Sequence, residues 1–321
     1  MNGMKIYAVV LAAGKGTRMK SDKPKVVHEV LYKPMINHVV DALKDLGVDE
    51  IVVVVGHEAE QVKALLPEDV KTVYQREQLG TGHAVLCAKE VLGDKEGMTL
   101  VLNGDAPLVQ KSTLKGLIDT FKAKASKATV MTAHCDTSVA YGRIINVDGQ
   151  VKGIVEFKDL AEDQKDITEM NTGEYCFDNQ ALFNALSQVT NNNAQNEYYL
   201  TDVIGIMNQE GLPISSYEID DFDEVGGIND RVALVEATKT LARRINHELL
   251  LNGVTVIDPD QTYIGTDVTI GTNTVIEPGT IIKGASVIGE NCHIGPFVEL
   301  DHVHISDHSE VKFQSLKDKT I

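Results

Sequence analysis

The sequence has no tryptophan and only four cysteines among its 321 residues. The cysteines are Cys87, Cys135, Cys176 and Cys292, and no two of them form a Cys-x-x-Cys pair. Their wide spacing argues against a structural zinc site and against a disulfide framework. We therefore expect the four thiols to be small, buried, apolar side chains.

Long hydrophobic runs are also missing. No apolar segment reaches the roughly 20 residues that a membrane-spanning helix needs. The apolar run at 5–11 ends in a glycine-rich basic loop, whereas a signal peptide would continue into a cleavage site of small residues. The sequence thus predicts a cytoplasmic protein with no membrane partner.

Positive charge is scarce. The chain has 30 lysines and arginines against 47 acidic residues, a formal net charge of −17, which disfavours a general nucleic-acid surface. The exception is the segment 15–25, which has five basic residues and one acidic residue. Such a segment is either a solvated loop or the wall of a pocket for a polyanion, and the neighbouring glycines favour the pocket.

The residues that are present alternate between strand-like and helix-like segments. Apolar runs rich in β-branched residues at 5–11, 50–55, 98–102 and 128–134 are typical of strands covered on both faces. Segments with apolar residues at helical spacing separate them. This alternation predicts an α/β fold with a Rossmann-like, doubly wound, mostly parallel sheet. Asp148-Gly149 predicts a later hairpin, and short strands are expected at 175–177 and 214–219.

Near the C-terminus, aliphatic residues recur with a period of six. An aliphatic residue recurs at every sixth position: Ile264, Ile270, Ile276, Ile282, Ile288, Ile294 and Leu300. An α-helix would scatter such positions around its surface. In a triangular β-solenoid, one aliphatic residue of each hexapeptide points into the core. The repeat predicts a short left-handed parallel β-helix of slightly more than two coils.

These patterns divide the chain into four expected segments. A large α/β domain covers residues 1–228, and a linking helix covers 229–252. The hexapeptide-repeat solenoid covers 253–305. The repeat fails at Ser306, so an irregular tail is expected over 306–321.

The first segment whose residues are suited to catalysis or ligand binding is the loop that follows the first strand. Residues 11–19 read Leu-Ala-Ala-Gly-Lys-Gly-Thr-Arg-Met, and Pro24-Lys25 follows. Glycines let backbone N–H groups approach phosphates or base edges, and Arg18 and Lys25 are charges suited to a triphosphate. The string is not a dinucleotide-binding Gly-x-Gly-x-x-Gly, because Met19 replaces the third glycine, and it is not a Walker loop.

This string resembles the signature of sugar nucleotidyltransferases. Its 19–25 stretch is similar to the N-acetylglucosamine-1-phosphate uridylyltransferase branch, usually the N-terminal half of a bifunctional uridylyltransferase/acetyltransferase of cell-wall precursor synthesis. Further matching strings follow in the family's order over residues 4–300, at 75–83, 104–108, 141–143, 154–159, 171–173, 191–202 and 225–231.

The resemblance implies a role for each matching position. The implied catalytic residues are Arg18, Lys25 and Asp105. The implied nucleotide-binding residues are Leu11, Ala12, Gly14, Gly16, Lys25, Gln75, Gln78, Gly80 and Thr81. The implied sugar-binding residues are Gly142, Glu156, Asn171 and Asn229. Asp105 and Asn229 are also the implied ligands of the cofactor Mg²⁺, an ion that takes few protein oxygens and completes its shell with water and phosphate.

The implied reaction joins UTP to N-acetylglucosamine 1-phosphate and releases pyrophosphate. Acetyl transfer is not expected, because no motif of that activity is recognised in the short solenoid, and a homotrimer through the solenoid is implied. Two alternatives stay open: a related enzyme using glucose 1-phosphate or another sugar 1-phosphate, and a non-catalytic sugar-nucleotide sensor. A solenoid acyltransferase is disfavoured by the small number of coils. Asn103 departs from the family pattern, which leaves the choice of sugar open.

Three histidines near the C-terminus are a further candidate site. His302, His304 and His308 are close enough in sequence to bind zinc or nickel. No carboxylate or cysteine completes a convincing ligand set, which favours an exposed, irregular segment instead.

Overall fold

The computed structural model describes residues 3–321, and these divide into two compact units. The first unit contains residues up to Val27 and then Met35–Asn229, and the second contains His28–Pro34 and Asp230–Ile321. The segment 28–34 was expected in the α/β domain. It instead forms a small hairpin of the second unit, in which Lys33 pairs with Asp267.

The first unit is built on a nine-stranded, mostly parallel sheet. Its strands are β1 (Ile6–Ala12), β2 (Glu50–Val55), β3 (Lys71–Tyr74), β4 (Met98–Asn103), β5 (Ala128–His134), β6 (Arg143–Val147), β7 (Gln150–Val155), β8 (Glu169–Asp178) and β9 (Ile214–Ile219). The strand order is β9-β5-β8-β4-β1-β2-β3, and β6 and β7 form a hairpin attached to β8. Strand β8 runs antiparallel to β4 and β5, whereas the other pairs along this path are parallel. The predicted α/β class and the predicted hairpin at Asp148-Gly149 are confirmed.

Helices cover both faces of this sheet. They are α1 (Met35–Leu46), α2 (Ala59–Lys63), α3 (Thr81–Cys87), α4 (Lys89–Leu92), α5 (Lys111–Ala123), α6 (Asn179–Leu186) and α7 (Asp202–Gln209). Successive residues of β1 point to opposite faces: Val9 packs in the core with α3, α4, α6 and α7, and Val10 packs in the core with α1, α2 and α5. Burial on both faces explains why these strands are continuous apolar runs.

The middle strands bring two loops together. Strands β1 and β4 are parallel neighbours, with Leu11 beside Asn103 in register. The Gly104 N–H donates to the Leu11 carbonyl at 2.9 Å, so the loop after β1 and the turn after β4 leave the sheet at the same edge. This is the edge at which open α/β sheets place their ligands.

Strand β8 is longer than the predicted strand at 175–177. It spans ten residues, and its register against β5 shifts between Asn171 and Tyr175. Bulges of this kind bend a strand and redirect its side chains. The irregularity hides the alternation of apolar residues that would have identified the first half of the strand.

The second unit is a parallel β-solenoid, as the repeat of six predicted. Its strands are Thr255–Val256, Tyr263–Ile264, Thr269–Ile270, Val275–Ile276, Ile281–Lys283, Val287–Ile288, His293–Ile294, Glu299–Ile305, Glu310–Val311 and Ser315–Thr320. They stack in parallel on three faces. Of the seven repeat positions, six are buried and Ile270 is partly buried. The parallel stacking is compatible with the predicted left-handed parallel β-helix.

The prediction of an irregular tail over 306–321 is wrong. Val311 pairs in register with Ile294, and Leu316 pairs with Leu300, so the tail completes a further coil. The coil is shortened: Ile288 stacks on Ile270 with the regular spacing of 18, but Ile305, not residue 306, stacks on Ile288. The shortened spacing removes the repeat of six from the sequence, while each face still receives its buried aliphatic residue.

A long helix, α8 (Arg231–Leu251), belongs to the second unit. The Asp230 side chain caps it by accepting from the N–H groups of Val232 and Ala233, both at 2.9 Å. At its other end, fully buried Asn246 donates to the Pro259 and Thr262 carbonyls, and Leu249 packs on the solenoid core. The expected linking helix is therefore a packed part of the second unit. Within residues 3–321, no helix has the length and apolar character to cross a membrane.

Candidate active site

A cavity of about 270 Å³ opens at the edge of the sheet where β1 and β4 end. Its lining residues come from the loops after β1, β3 and β4 and from the segment before α7: Leu11, Ala12, Ala13, Gly14, Lys25, Val26, Gln75, Gln78, Gly80, Thr81, Ala84, Asn103, Asp105 and Glu197. Eight of the nine predicted nucleotide-binding residues are among them. Their part in binding stays a prediction.

Gly16 is the predicted nucleotide-binding residue that does not line the cavity. Its φ is +59°, and a Cβ added there would lie 2.5 Å from the Cβ of Lys25. Gly16 therefore acts on the site through packing: the left-handed turn and the missing side chain let Lys25 fold back against the loop.

Four polar side chains meet at one side of the cavity, and we call them the Lys25 cluster: Arg18, Lys25, Asp105 and Asn229. The Lys25 ammonium group pairs with Asp105 Oδ2 and lies 3.0 Å from Asn229 Oδ1. Arg18 Nη2 lies 2.8 Å from the same amide oxygen. The side chains of Lys25 and Asp105 are only 18% and 15% exposed, so water screens the pair weakly.

The Lys25 cluster has the chemistry of a small-cation site. One ammonium group contacts both a carboxylate oxygen and an amide oxygen, which places these two oxygens close enough to share a cation. Gly227 adjoins them, and a Cβ on it would lie 3.3 Å from Asp105 Oδ2. Among residues 3–321, no three His, Cys, Asp or Glu side chains could hold a metal together, and this includes the trio His302, His304 and His308.

Another part of the cavity lining presents amides and backbone groups. Gln75 is 3% exposed, and its Nε2 lies 3.0 Å from the Gly80 carbonyl oxygen and 3.1 Å from His83 Nδ1. Its amide oxygen is then left as an acceptor. Gln78 Nε2 donates to the Gln75 carbonyl at 3.3 Å, so the loop braces both amides.

A neighbouring segment fixes this loop. The Tyr198 N–H donates to the Leu79 carbonyl at 2.7 Å, and the Gly82 N–H donates to the Tyr198 carbonyl at 2.8 Å. Gly80 has a φ of +111°, and a Cβ on it would lie 2.5 Å from the Tyr198 carbonyl oxygen. Glycine is therefore required at position 80 for two reasons, backbone conformation and close approach.

Three of the predicted sugar-binding residues form a second group. The Asn171 N–H donates to the Gly142 carbonyl at 2.9 Å, and a Cβ on Gly142 would lie 3.6 Å from Glu156 Oε2. Thr201 donates to Glu156 Oε1 at 3.0 Å, and burial raises the pKa of the Glu156 carboxyl. The fourth residue, Asn229, lies apart from this group in the Lys25 cluster.

A buried acid lies beside the cavity, and it was not predicted from the sequence. Glu174 is fully buried, its Oε1 accepts from Asn103 Nδ2 at 3.2 Å, and its Oε2 has no hydrogen-bond partner. Burial raises the pKa of this carboxyl to about 8. Asn103 also donates to the Gly173 carbonyl at 3.3 Å, so both of its N–H groups are engaged.

Comparison with known proteins identifies the family. Residues 8–197 match the MobA-like NTP transferase domain. The chain is 54% identical to the bifunctional protein GlmU of Shouchella clausii over 92% of this chain and 65% of that protein. It is 50% identical to the bifunctional protein GlmU of a Geobacillus strain (WCH70) over 99% of this chain and 70% of that protein. The chain thus spans about two thirds of the length of these relatives.

Solved structures agree at the level of fold. A UDP-glucose pyrophosphorylase complexed with UDP-glucose superposes with a TM-score of 0.60 at 20% identity, over 75% of this chain and 100% of that one. A UTP-bound UGPase from Acinetobacter baumannii superposes with a TM-score of 0.57 at 21% identity, over 77% and 99%. The matched domain and the sequence relatives show that the chain belongs to the GlmU family of nucleotidyltransferases.

Proposed function

We propose that the protein transfers a uridylyl group from UTP to N-acetylglucosamine 1-phosphate, giving UDP-N-acetylglucosamine and pyrophosphate. The observation that carries this proposal is the meeting of Arg18, Lys25, Asp105 and Asn229 beside a cavity that is also lined by the amides of Gln75 and Gln78. The printed names of the sequence relatives and the nucleotides named with the two solved structures agree with it. The resemblance also supports a cytoplasmic location and a homotrimer through the solenoid.

The reaction is an in-line attack by a phosphate oxygen of the sugar phosphate on the α-phosphorus of UTP. The P–O bond to the sugar phosphate forms as the bond to pyrophosphate breaks. A phosphate monoester has its second pKa near 6 and is therefore largely ionised at neutral pH without a general base. Positioning and charge stabilisation are then sufficient for catalysis. Lys25 and Arg18 neutralise charge on the triphosphate and on the departing pyrophosphate.

The Lys25 cluster fits a magnesium ion. The Asp105 carboxylate and the Asn229 amide oxygen are hard oxygen donors, and the Lys25 ammonium group that contacts both of them supports a cation at this position. When bound, Mg²⁺ would neutralise phosphate charge. Lys25 would then release Asp105 and pair with phosphate oxygens, because it cannot remain between the two metal ligands.

The cavity wall suits the base of the nucleotide, and the second group, which does not line the cavity, suits the sugar. The Gln75 amide oxygen is an acceptor for the N–H of uracil, and Gln78 and the backbone at Gly80 face the same cavity. In the second group, Glu156 accepts hydrogen bonds, which suits sugar hydroxyls. Asn171 Nδ2 donates to the Tyr175 hydroxyl at 2.7 Å and has a second N–H for a ligand.

Pyrophosphate release with identification of the product tests the proposal. The protein is mixed with UTP, Mg²⁺ and N-acetylglucosamine 1-phosphate, pyrophosphate release is followed, and the nucleotide sugar is identified by mass. Parallel reactions with glucose 1-phosphate and with other nucleoside triphosphates give the specificity. A faster rate with another sugar would contradict the proposed acceptor, and UDP-sugar binding without pyrophosphate release would indicate a sensor. Acetyl-CoA consumption, measured in the same mixture with glucosamine 1-phosphate, tests the expected lack of acetyl transfer.

Gly80→Ala will raise the KM for UTP about five- to 150-fold, because the strained conformation and the clash with Tyr198 together cost on the order of 1–3 kcal/mol. Initial rates over a UTP series measure it. Gly149→Ala is the matched control: Gly149 also has a positive φ, +75°, but a Cβ there meets no atom within 4 Å. Equal KM values for UTP in the two variants would mean that Gly80 does not contribute to UTP binding.

A further inference from the structure

Tyr141 connects the loop before β6 to the Lys25 cluster. Its side chain is partly buried, and its ring packs edge-on against Phe222 with 5.2 Å between centroids. Its hydroxyl oxygen accepts from the Gly227 N–H at 3.0 Å. The tyrosine therefore holds the peptide group that contains the Gly227 N–H, in the segment that carries Asn229.

The next peptide group, which contains the Gly227 carbonyl and the Ile228 N–H, orients the amide of Asn229. The Gly227 carbonyl accepts from Asn229 Nδ2 at 2.9 Å, which turns the amide oxygen toward Lys25 and Arg18. The Ile228 N–H donates to the Asp105 carbonyl at 3.0 Å and ties the segment to the turn after β4. Because Gly227 has no side chain, hydrogen bonds rather than packing fix the orientation of its peptide groups.

The loop that presents Tyr141 is itself held rigidly. Arg143 is fully buried and donates to the carbonyl oxygens of Thr137 at 2.7 Å, Val139 at 3.2 Å and Tyr141. Its guanidinium group also lies over the Phe157 ring at 5.4 Å. A buried arginine that donates hydrogen bonds to three carbonyl oxygens of this loop holds it in place, and with it the tyrosine beside Gly227.

We infer that Tyr141 is a positioning residue that, through Gly227, holds the Asn229 amide oxygen beside Asp105 and so sets the affinity of the site for its divalent cation. This inference rests on the proposed function, because it takes Asp105 and Asn229 as the cation ligands. Tyr141 contacts neither ligand directly. Its effect passes through one backbone N–H, and a substitution that removes only the hydroxyl is expected to reveal it.

Tyr141→Phe keeps the ring against Phe222 and removes the acceptor. Binding of Mn²⁺ to the UTP-loaded protein, followed by electron paramagnetic resonance, is expected to weaken about three- to tenfold, the effect of one neutral hydrogen bond. The Mg²⁺ concentration for half-maximal pyrophosphate release should rise by the same factor. The rate at saturating Mg²⁺ and UTP should fall much less, since the loss is in cation binding.

Tyr7→Phe is the matched control. The Tyr7 hydroxyl also makes one hydrogen bond, donating to the Glu96 carbonyl at 3.1 Å near the start of β1, at the sheet edge opposite the cavity. This variant should bind Mn²⁺ as the wild type does. Unchanged Mn²⁺ affinity in Tyr141→Phe, or a loss of rate that saturating Mg²⁺ does not restore, would overturn the inference. A wild-type protein that binds no Mn²⁺ with UTP and releases no pyrophosphate would instead refute the proposed function, and the inference with it.

Discussion

Replacing Lys25 or Asp105 by alanine will lower turnover roughly 100- to 1000-fold, the scale seen when one preorganised charge-stabilising group is removed. Lys25 is the partly buried cation of the cavity wall, and Asp105 is its acidic partner and the proposed metal ligand. Neither side chain belongs to the apolar cores of the sheet. Turnover should therefore fall while the protein stays folded.

Initial rates of pyrophosphate release, with circular dichroism to check folding, measure this effect. Lys127→Ala is the control: it removes a lysine paired with Asp178 at 2.7 Å, at the end of the sheet where β5 begins. A variant with both Lys25 and Asp105 replaced by alanine tests whether the two residues act together. Because Lys25 and Asp105 are in contact, their combined loss should be smaller than the product of the single losses. Near wild-type turnover in either single variant would remove that residue from the mechanism.

The sheet could be predicted from the sequence because of how it is buried. Strands β2, β5 and β9 have the bounds expected from the sequence. Helices on both faces require apolar residues at nearly every strand position, and such runs stand out from their flanking loops. The β-solenoid was predictable for a similar reason, since one inward aliphatic residue per face imposes a fixed repeat.

The errors occurred where long-range pairing overrides local pattern. The shortened last coil keeps Ile305, Val311 and Leu316 inside the solenoid but loses the spacing of six. The hairpin 28–34 joins the second unit through contacts with residues more than 200 positions away. Neither feature leaves a periodic signal in its own segment.

Most of the predicted nucleotide-binding residues lie around one cavity, and their detailed geometry was not predicted. The family resemblance pointed to most of the residues that line the cavity, but it could not separate Gly16, which packs on Lys25, from glycines that line the cavity. Asn229 was expected at both the sugar and the metal, and it lies with the Lys25 cluster. Glu174 was missed altogether, because its burial follows from the register shift in β8 and not from any motif.

That buried acid makes the stability of the protein depend on pH in an unusual direction. The pKa of Glu174 is raised from 4.5 to about 8 by burial. Between these two values the folded protein holds a proton that the unfolded chain has released, so raising the pH favours unfolding. The contribution of Glu174 to the free energy of unfolding should fall by up to about 1.4 kcal/mol per pH unit within this window. Below pH 4.5 the contribution is constant.

Glu174→Gln should abolish this dependence. The glutamine oxygen can accept from Asn103 Nδ2, as Oε1 does, and the neutral amide has the shape of the protonated acid. Urea unfolding at pH 5.5, 7.0 and 8.5 should show the variant increasingly more stable than the wild type as pH rises. Glu218→Gln is the control, since its side chain is 58% exposed and its unfolding should follow the wild type. A Glu174→Gln variant whose stability falls with pH as steeply as the wild type would mean that Glu174 is already ionised in the folded protein, stabilised by groups that its buried position must then contact.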